Sequence, residues 1–268
     1  MADDAPSSPV RGDRRRTAEY FTRLAGTYGD GRYYEARRRA VVDAIAAEIR
    51  DAGAVLDLGC GNGNYLAEFA RIRGAHGLAG ADLTFDMLLE ARERAPSVNA
   101  FVRADVTALP LDDESFDIVF CSHVLPFIPE LDSAVGEISR CLRANGMLIA
   151  TLPGDSIARR EIERLLGAER YEQFAQLVFR RVRRGVETQS ENDRYRATFA
   201  RVGLRFEQRD APFTITWQDV DEWIRIRWFP VMEPSDHPIV DKILAEIAAS
   251  ARDRRLTLVE PLVIGRKS

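Results

Sequence analysis

Residues 55–65 read Val55-Leu56-Asp57-Leu58-Gly59-Cys60-Gly61-Asn62-Gly63-Asn64-Tyr65, and the fold turns on them. A short apolar run from Ala54 to Leu58, broken by one aspartate, meets glycine at every second position. A helical pattern then opens at Asn64, so the order is strand, tight loop and helix start. Glycine takes positive φ without steric cost and lets another molecule approach the backbone. The loop is therefore built to receive a ligand.

Two helices are predicted before this loop, over Arg14 to Tyr28 and Tyr33 to Arg50, each with apolar residues at helical spacing. After it, strands at Ala54–Leu58, Gly77–Asp82, Asn99–Ala104, Phe116–Ser122 and Met147–Thr151 alternate with helices from Asn64, Phe85 and Leu131. Strands separated by helices of about ten residues make βαβ units and a parallel sheet covered on both faces. The rhythm changes after Pro153. Residues 155–184 read as one or two helices interrupted near Gly167, an insertion. A helix to Val202, a β-rich run Leu204–Trp217, helices from Gln218 and Ile239, and a strand Leu256–Ile264 follow. Pro261 points to an edge or a bulge there. The expected class is α/β: a doubly wound, mostly parallel sheet in a single domain over 14–268, behind a disordered tail over 1–13. Helical lid elements are expected at about 14–34, 155–190 and 213–254.

Composition narrows the partners. With 268 residues, 46% hydrophobic and 30% charged, the chain suits one generous domain with a packed core. A net charge of -4 offers no global basic field for nucleic acid. The three cysteines, Cys60, Cys121 and Cys141, lack metal-ligand spacing and form no even set. Reduced thiols in a cytoplasmic protein, with no metal, are expected. No apolar stretch approaches the roughly 20 residues that span a bilayer, and Met1–Arg16 lacks the apolar region of a signal peptide.

Asp82 ends the second strand about twenty residues beyond the loop, where a carboxylate accepts ribose hydroxyls. A dinucleotide would suit that pattern too. The spacing Gly59-x-Gly61-x-Gly63, however, is not the G-x-G-x-x-G that seats a pyrophosphate on a helix. Asp57, just before the turn, repels a diphosphate and attracts an ammonium. These motifs resemble those of the class I S-adenosylmethionine-dependent methyltransferases, from about residue 20 to 152 and weakly thereafter. Val55–Gly63, with Asp57, Gly59, Cys60, Gly61 and Gly63, resembles the family's first motif. Asp82 and Leu83 resemble its ribose position, with Met87 in the next helix, and Asp105-Val106 resembles its adenine position. Phe116–Ser122 resembles the fourth-strand motif, with Ser122 at its end, and Leu142–Met147 the turn before the fifth strand. The resemblance implies a Rossmann-like methyltransferase fold of seven strands with a reversed last strand, S-adenosylmethionine as cofactor, and a small-molecule acceptor in specialised-metabolite biosynthesis. Each residue also has a plainer reading: Asp105 can cap a turn, Asp117 begins a strand, and Cys60 packs in the loop.

Methyl transfer from a sulfonium is an in-line displacement, so alignment comes first and proton removal second. His123, directly after the fourth strand, is the candidate general base. His237 is a weaker one, and His76 sits in a polar loop. Tyr28 is a candidate for the methyl-facing aromatic, with Tyr33 and Tyr34 as neighbours, or simply packs against Phe21 and Leu24. Pro126-Phe127 suits a hydrophobic acceptor or an unaided transfer, and Trp217, Trp223, Trp228, Phe213 and Phe229 either line an aromatic acceptor pocket or form core. The Arg-rich stretch 180–184 is read as a solvated helix end. Two alternatives remain: a protein that binds the cofactor without methylating, as a binding module or cyclase, and an NAD-dependent oxidoreductase. Asp82→Ala is expected to weaken S-adenosylmethionine binding severely while leaving the fold intact. Unchanged affinity by calorimetry refutes the ribose assignment.

Overall fold

The computed structural model describes residues 12–151, 157–178, 188–227, 229, 232–251 and 254–268. The tail to residue 11, Arg180–Arg184 and Trp228 lie outside the described residues, as do parts of the insertion expected at 155–190.

Helices α1 (Arg14–Leu24) and α2 (Arg32–Asp51) precede the alternating core. That core runs β1 (Val55–Leu58), α3 (Asn64–Phe69), β2 (Leu78–Asp82), α4 (Phe85–Arg94), β3 (Ala100–Arg103), β4 (Phe116–Ser122), α5 (Leu131–Cys141) and β5 (Leu142–Thr151). The remainder is α6 (Ile157–Leu166), α7 (Ala168–Val178), α8 (Thr188–Arg201), β6 (Leu204–Thr216), α9 (Trp217–Arg227), α10 (His237–Ala251) and β7 (Arg255–Lys267). The seven strands lie in the order β3-β2-β1-β4-β5-β7-β6. All neighbouring pairs from β3 to β5 are parallel, and only β7 is reversed. This is the doubly wound sheet with a reversed last strand that the motifs implied.

Side-chain alternation divides the core. On β4, Ile118 and Phe120 join the cluster beneath α2, α3 and α4, while Val119 and Cys121 join the one beneath α5 and α8. Burial on both faces explains why β4 reads as a continuous apolar run. At the start of β1, Asp117 Oδ2 accepts from Gly53 N and Ala54 N at 2.8 Å each and from Arg143 Nη1 at 2.9 Å. Burial alone would raise the Asp117 pKa, but Arg143 and these amides outweigh it and hold the carboxyl below its usual value.

Three boundaries differ from the sequence expectation. Helix α1 stops at Leu24, because turns at 25–29 carry the chain toward the glycine loop. The turn expected before β5 is instead an irregularity inside it: Phe116 pairs with Leu142 and Ile118 with Met147, so residues 143–146 bulge between. Strand β7 is internal over 262–266, between β5 and β6, but the β5 pairing ends at Thr151↔Leu262. Pro261 sits one residue beyond, opposite Asp210 of β6 alone, and so falls on a locally one-sided stretch.

That one-sided stretch matters for the site. From 255 to 261, β7 pairs with β6 as a ribbon projecting past the carboxyl end of β5. Helices α6, α7, α9 and α10 pack on the ribbon around Phe174, Trp217, Ile224, Ile243 and Leu258, together with Tyr33 and Tyr34 of α2. Tyr33 and Tyr34 thus meet the described helices of 157–178 and 217–251 on the ribbon that extends past the carboxyl end of β5. Among the described residues, no helix is long and apolar enough to cross a membrane.

Asp117→Ala removes the acceptor of two amides and a guanidinium. It is expected to cost about 1–3 kcal/mol of stability in denaturant titration, with S-adenosylhomocysteine affinity unchanged because Asp117 sits at the amino end of β4, away from the glycine loop at the carboxyl end of β1.

Candidate functional site

The end of β2 holds the loop that follows β1. Gly59 N and Cys60 N donate to Ala81 O at 2.7 and 3.0 Å, and Gly61 N donates to Asp82 Oδ2 at 2.9 Å. Asp82 Oδ1 accepts from Thr84 N at 2.8 Å. Burial raises the Asp82 pKa against these hydrogen bonds, which favour the carboxylate. The Thr84 hydroxyl and Leu83 N also donate to this carboxylate.

The glycines have separate reasons. At Gly59 (φ 74°) an added Cβ would lie 2.1 Å from Val124 Cγ2, and at Gly63 (φ 80°) 2.8 Å from Ala91 Cα, so packing excludes a side chain at both. At Gly61 (φ 53°) the nearest atoms would be Met87 Sδ at 3.8 Å and Tyr28 Cδ1 at 3.9 Å. Gly61 therefore opens onto a cradle whose walls are Met87 and Tyr28.

Asp57 is buried at 1% exposure, and neither of its oxygens has a hydrogen-bond partner. Burial first, then Asp82, pushes its pKa well above the ordinary carboxyl value. An unpartnered buried carboxylate is costly, and a cation brought by a ligand relieves it. Beside the Gly61 backbone and the Asp82 carboxylate, this fits the ammonium-bearing S-adenosylmethionine and opposes a diphosphate. Cys60 is buried with its thiol pKa driven well up by burial, so it packs rather than reacts.

Further along, Asp105 Oδ1 accepts from Thr107 N at 2.9 Å and Thr107 Oγ1 at 2.8 Å, and Oδ2 pairs with Arg14. Burial would raise the Asp105 pKa, but Thr107 and Arg14 bring it below the usual value. The capping geometry is thus present, with Val106 buried beside it. Arg103 Nε donates to Leu83 O at 3.0 Å, which fixes the backbone after Asp82.

From Arg14 the amino-terminal segment crosses to the glycine loop. Asn62 Nδ2 donates to Ala25 O and Tyr28 O at 3.0 and 2.8 Å, and Asn64 Nδ2 donates to Tyr28 O at 3.0 Å. These two asparagines hold Tyr28 above Gly61. Tyr28 begins an aromatic wall: Phe21 lies 5.4 Å from it, Tyr34 6.4 Å from it, and Phe127 6.4 Å from Phe21. Tyr33 continues the wall, 5.6 Å from Tyr34 and stacked on Trp223 at 4.6 Å. Trp217 is buried in the core beneath α9 instead. His237 stacks on Phe229 and bonds its carbonyl at 3.1 Å, while His76 is exposed and bonds Gly74 O.

His123 stands at the end of β4 with φ 55°, a left-handed conformation rare for a non-glycine residue. Its Nε2 lies 2.6 Å from Glu260 Oε1 on the projecting ribbon. Beside it, Ser122 Oγ lies 3.0 Å from Thr151 Oγ1. Glu260 is buried, which alone would raise its pKa, but its interactions with His123 and then Arg37, with a hydrogen bond from Thr151 as well, outweigh burial and keep it below the ordinary value. The Arg37 guanidinium sits 5.1 Å from the Tyr34 ring centroid. Despite burial, Glu260 and then Tyr65, Tyr33 and Tyr34 raise the Arg37 pKa and hold it charged. Among the described residues, no group of three or more histidine, cysteine or acidic side chains is placed to hold a metal.

Asn62, Asn64, Arg37 and Glu260 escape the motif reading. The asparagines occupy the free positions of the glycine motif and its helix start. Glu260 did leave a signal: it shares the parity of Leu256, Leu258 and Leu262, an acid on the apolar face of a strand. Arg37 left none, on an arginine-rich helix.

For Asp57 the sign of the pH effect is fixed. The unfolded chain releases this proton at the ordinary carboxyl value and the folded chain only higher, so stability falls as pH rises from the first value toward the second. Asp57→Asn removes that loss. At neutral pH it is expected to raise the melting temperature of the ligand-free protein while weakening S-adenosylhomocysteine, which carries the same ammonium, at least about tenfold. Undiminished affinity by calorimetry refutes the ammonium role.

Residues 56–150 match the family described as a methyltransferase domain. The chain is 35% identical over 148 residues to a malonyl-[acyl-carrier protein] O-methyltransferase of Enterobacter lignolyticus, covering 54% of this chain and 57% of the relative. It is 32% identical over 134 residues to a trans-aconitate 2-methyltransferase of Azoarcus, covering 47% and 51%. The chain thus spans about half the length of these curated relatives. In fold it is similar to an S-adenosylmethionine-dependent methyltransferase structure from Thermotoga maritima, with TM-score 0.55, 18% identity, and 92% and 98% of the two chains covered. The matched methyltransferase domain spans β1 to β5, the strands that carry the glycine loop and its two acidic neighbours, which agrees with the resemblance of these motifs to the class I S-adenosylmethionine-dependent methyltransferases.

Proposed function

We propose that the protein transfers a methyl group from S-adenosylmethionine to a small-molecule acceptor, in the biosynthesis of a specialised metabolite. The observation that carries this reading is the bare Asp57 carboxylate beside the Gly61 cradle, with the aromatic wall and His123 at the same end of the sheet. Asp57 would hold the ammonium, Asp82 the ribose, and the 105–106 turn the adenine edge. S-adenosylmethionine, when bound, supplies an electrophilic methyl. The rest falls to the chain's own side chains. Tyr28, fixed by Asn62 and Asn64, closes the cradle from above, and the wall from Phe127 to Trp223 excludes water and orients a planar acceptor. His123 would take a proton from the acceptor.

The acceptors named for the two relatives, a malonyl group and trans-aconitate, carry carboxylates. In this chain the half-buried Arg37, whose guanidinium lies over Tyr34 of the wall, already interacts electrostatically with Glu260. An aromatic or hydrophobic acceptor with little charge suits that balance better.

The test is labelled-methyl transfer from S-adenosylmethionine to a panel of phenols, hydroxy acids, carboxylic acids and amines. Transfer to at least one class is expected. Tight S-adenosylhomocysteine binding with no transfer across the panel overturns the reading in favour of a binding module. With the acceptor so found, His123→Ala should lower kcat by roughly a hundredfold and keep S-adenosylhomocysteine affinity; retained kcat would mean that alignment alone suffices.

A further inference from the structure

The geometry points to Glu260, with Arg37 behind it, as the positioning residue that makes His123 a base, and hence to an acceptor that carries a proton on its nucleophilic oxygen. This rests on the methyl transfer proposed above and adds to it a mechanism and an acceptor class. Three observations converge on it. First, Glu260 is a buried carboxylate 2.6 Å from His123 Nε2, on a strand distant in sequence and brought alongside only by the β6–β7 ribbon. Second, Arg37 Nε is buried without a hydrogen-bond partner, on a side chain that lies over Tyr34 and interacts electrostatically with Glu260. Its cost is repaid mainly through the charge on Glu260. Third, His123 is held at positive φ, the kind of strain that persists where a side chain must point one way.

An ionised Glu260 only accepts hydrogen bonds. It therefore binds the Nε2–H of His123 and leaves the lone pair on Nδ1. The groups facing this pair are Glu260 from β7, Arg37, Tyr33 and Tyr34 from α2, and Tyr65 from α3. Arg37 and Glu260 cancel in charge, so a neutral His123 leaves the cluster uncharged. When Nδ1 takes the acceptor's O–H proton, the oxygen lone pair forms the bond to the methyl carbon. The carbon–sulfur bond breaks as this happens, and its electrons leave on the now neutral sulfur. His123 becomes an imidazolium whose charge Glu260 offsets. A preformed carboxylate acceptor has no proton to give, and this apparatus would serve it nothing. A phenol, enol or similar hydroxyl is the class that uses it.

The test uses the full chain saturated with S-adenosylhomocysteine. NMR of the imidazole nitrogens reads the tautomer of neutral His123; with three histidines in the chain, His123→Ala assigns the signal. The expected wild-type form is Nε2–H alone. Glu260→Ala should mix the tautomers and lower kcat about tenfold to a hundredfold, with KM and S-adenosylhomocysteine affinity kept. Glu260→Gln retains an oxygen acceptor without the charge, and should keep the tautomer while recovering only part of the rate. A wild-type Nδ1–H tautomer, full kcat in either Glu260 variant, or a carboxylic acid as the class methylated in the panel overturns the inference. Should Glu260→Ala fail to fold, Glu260→Gln carries the rate test alone. If no acceptor is labelled at all, it is the methyl-transfer reading that fails, and the tautomer still decides the positioning role of Glu260.

Discussion

Three hydrogen bonds from the glycine loop to the end of β2 are the constraint on which the site depends. Gly59 and Cys60 donate to Ala81 and Gly61 donates to Asp82, so the turn after β1 is tied to the neighbouring parallel strand. Parallel pairing of Leu58 with Ala81 brings the two strand ends level, and only then can the Asp82 carboxylate reach the loop amide. The glycines follow from this tether. With the loop drawn against β2, Gly59 meets Val124 and Gly63 meets Ala91, which leaves Gly61 as the one position of the three where an added Cβ would make only ordinary contacts, with Met87 and Tyr28.

The second determinant lies at the opposite end of the chain. A sheet ending at Thr151 would leave the carboxyl edge bare above β4 and β5. The antiparallel ribbon of β6 and β7 extends beyond that edge and gives the later helices an apolar surface to pack on. The same extension delivers Glu260 to His123. An internal strand lacks the freedom to accept a proline in its ladder, whereas Pro261 marks where β7 leaves β5, one residue from the carboxylate.

How much was legible follows from the range of each interaction. The strand–loop–helix at 55–65, Asp82 at the end of β2 and Asp105 just beyond β3 are local patterns, and the sheet order, the reversed β7 and the tethered loop agree with them. The irregularity over 143–146 was hidden because Phe116 pairs back to Leu142 across the intervening helix, a contact that local spacing does not encode. The role of Asn62 was hidden for a similar reason: its partners, Ala25 and Tyr28, precede it by more than thirty residues in a different helix-and-turn unit. Glu260 was readable as an acid on an apolar strand face, but its partner was not, since nothing local pairs residue 260 with residue 123.

The two buried carboxylates of the site differ in a way that separates its halves. Asp57 has no partner among the described residues and its pKa is driven up; Glu260 has His123 and Arg37 and its pKa is driven down, though both are almost wholly out of water. Burial is common to both, so the difference lies in the neighbouring charge. On the proposed reading, the donor side leaves its cation to arrive with the ligand, so that binding itself relieves a cost already present in the fold. The acceptor side carries its cation permanently in Arg37, which together with the hydrogen bonds from His123 and Thr151 favours an ionised Glu260 before any acceptor arrives. A carboxylate that must compensate a transient imidazolium has to be ionised in advance, because reorganising it during the reaction would add to the barrier. The paired carboxylate therefore belongs beside the proton transfer, and the unpaired one beside the ammonium.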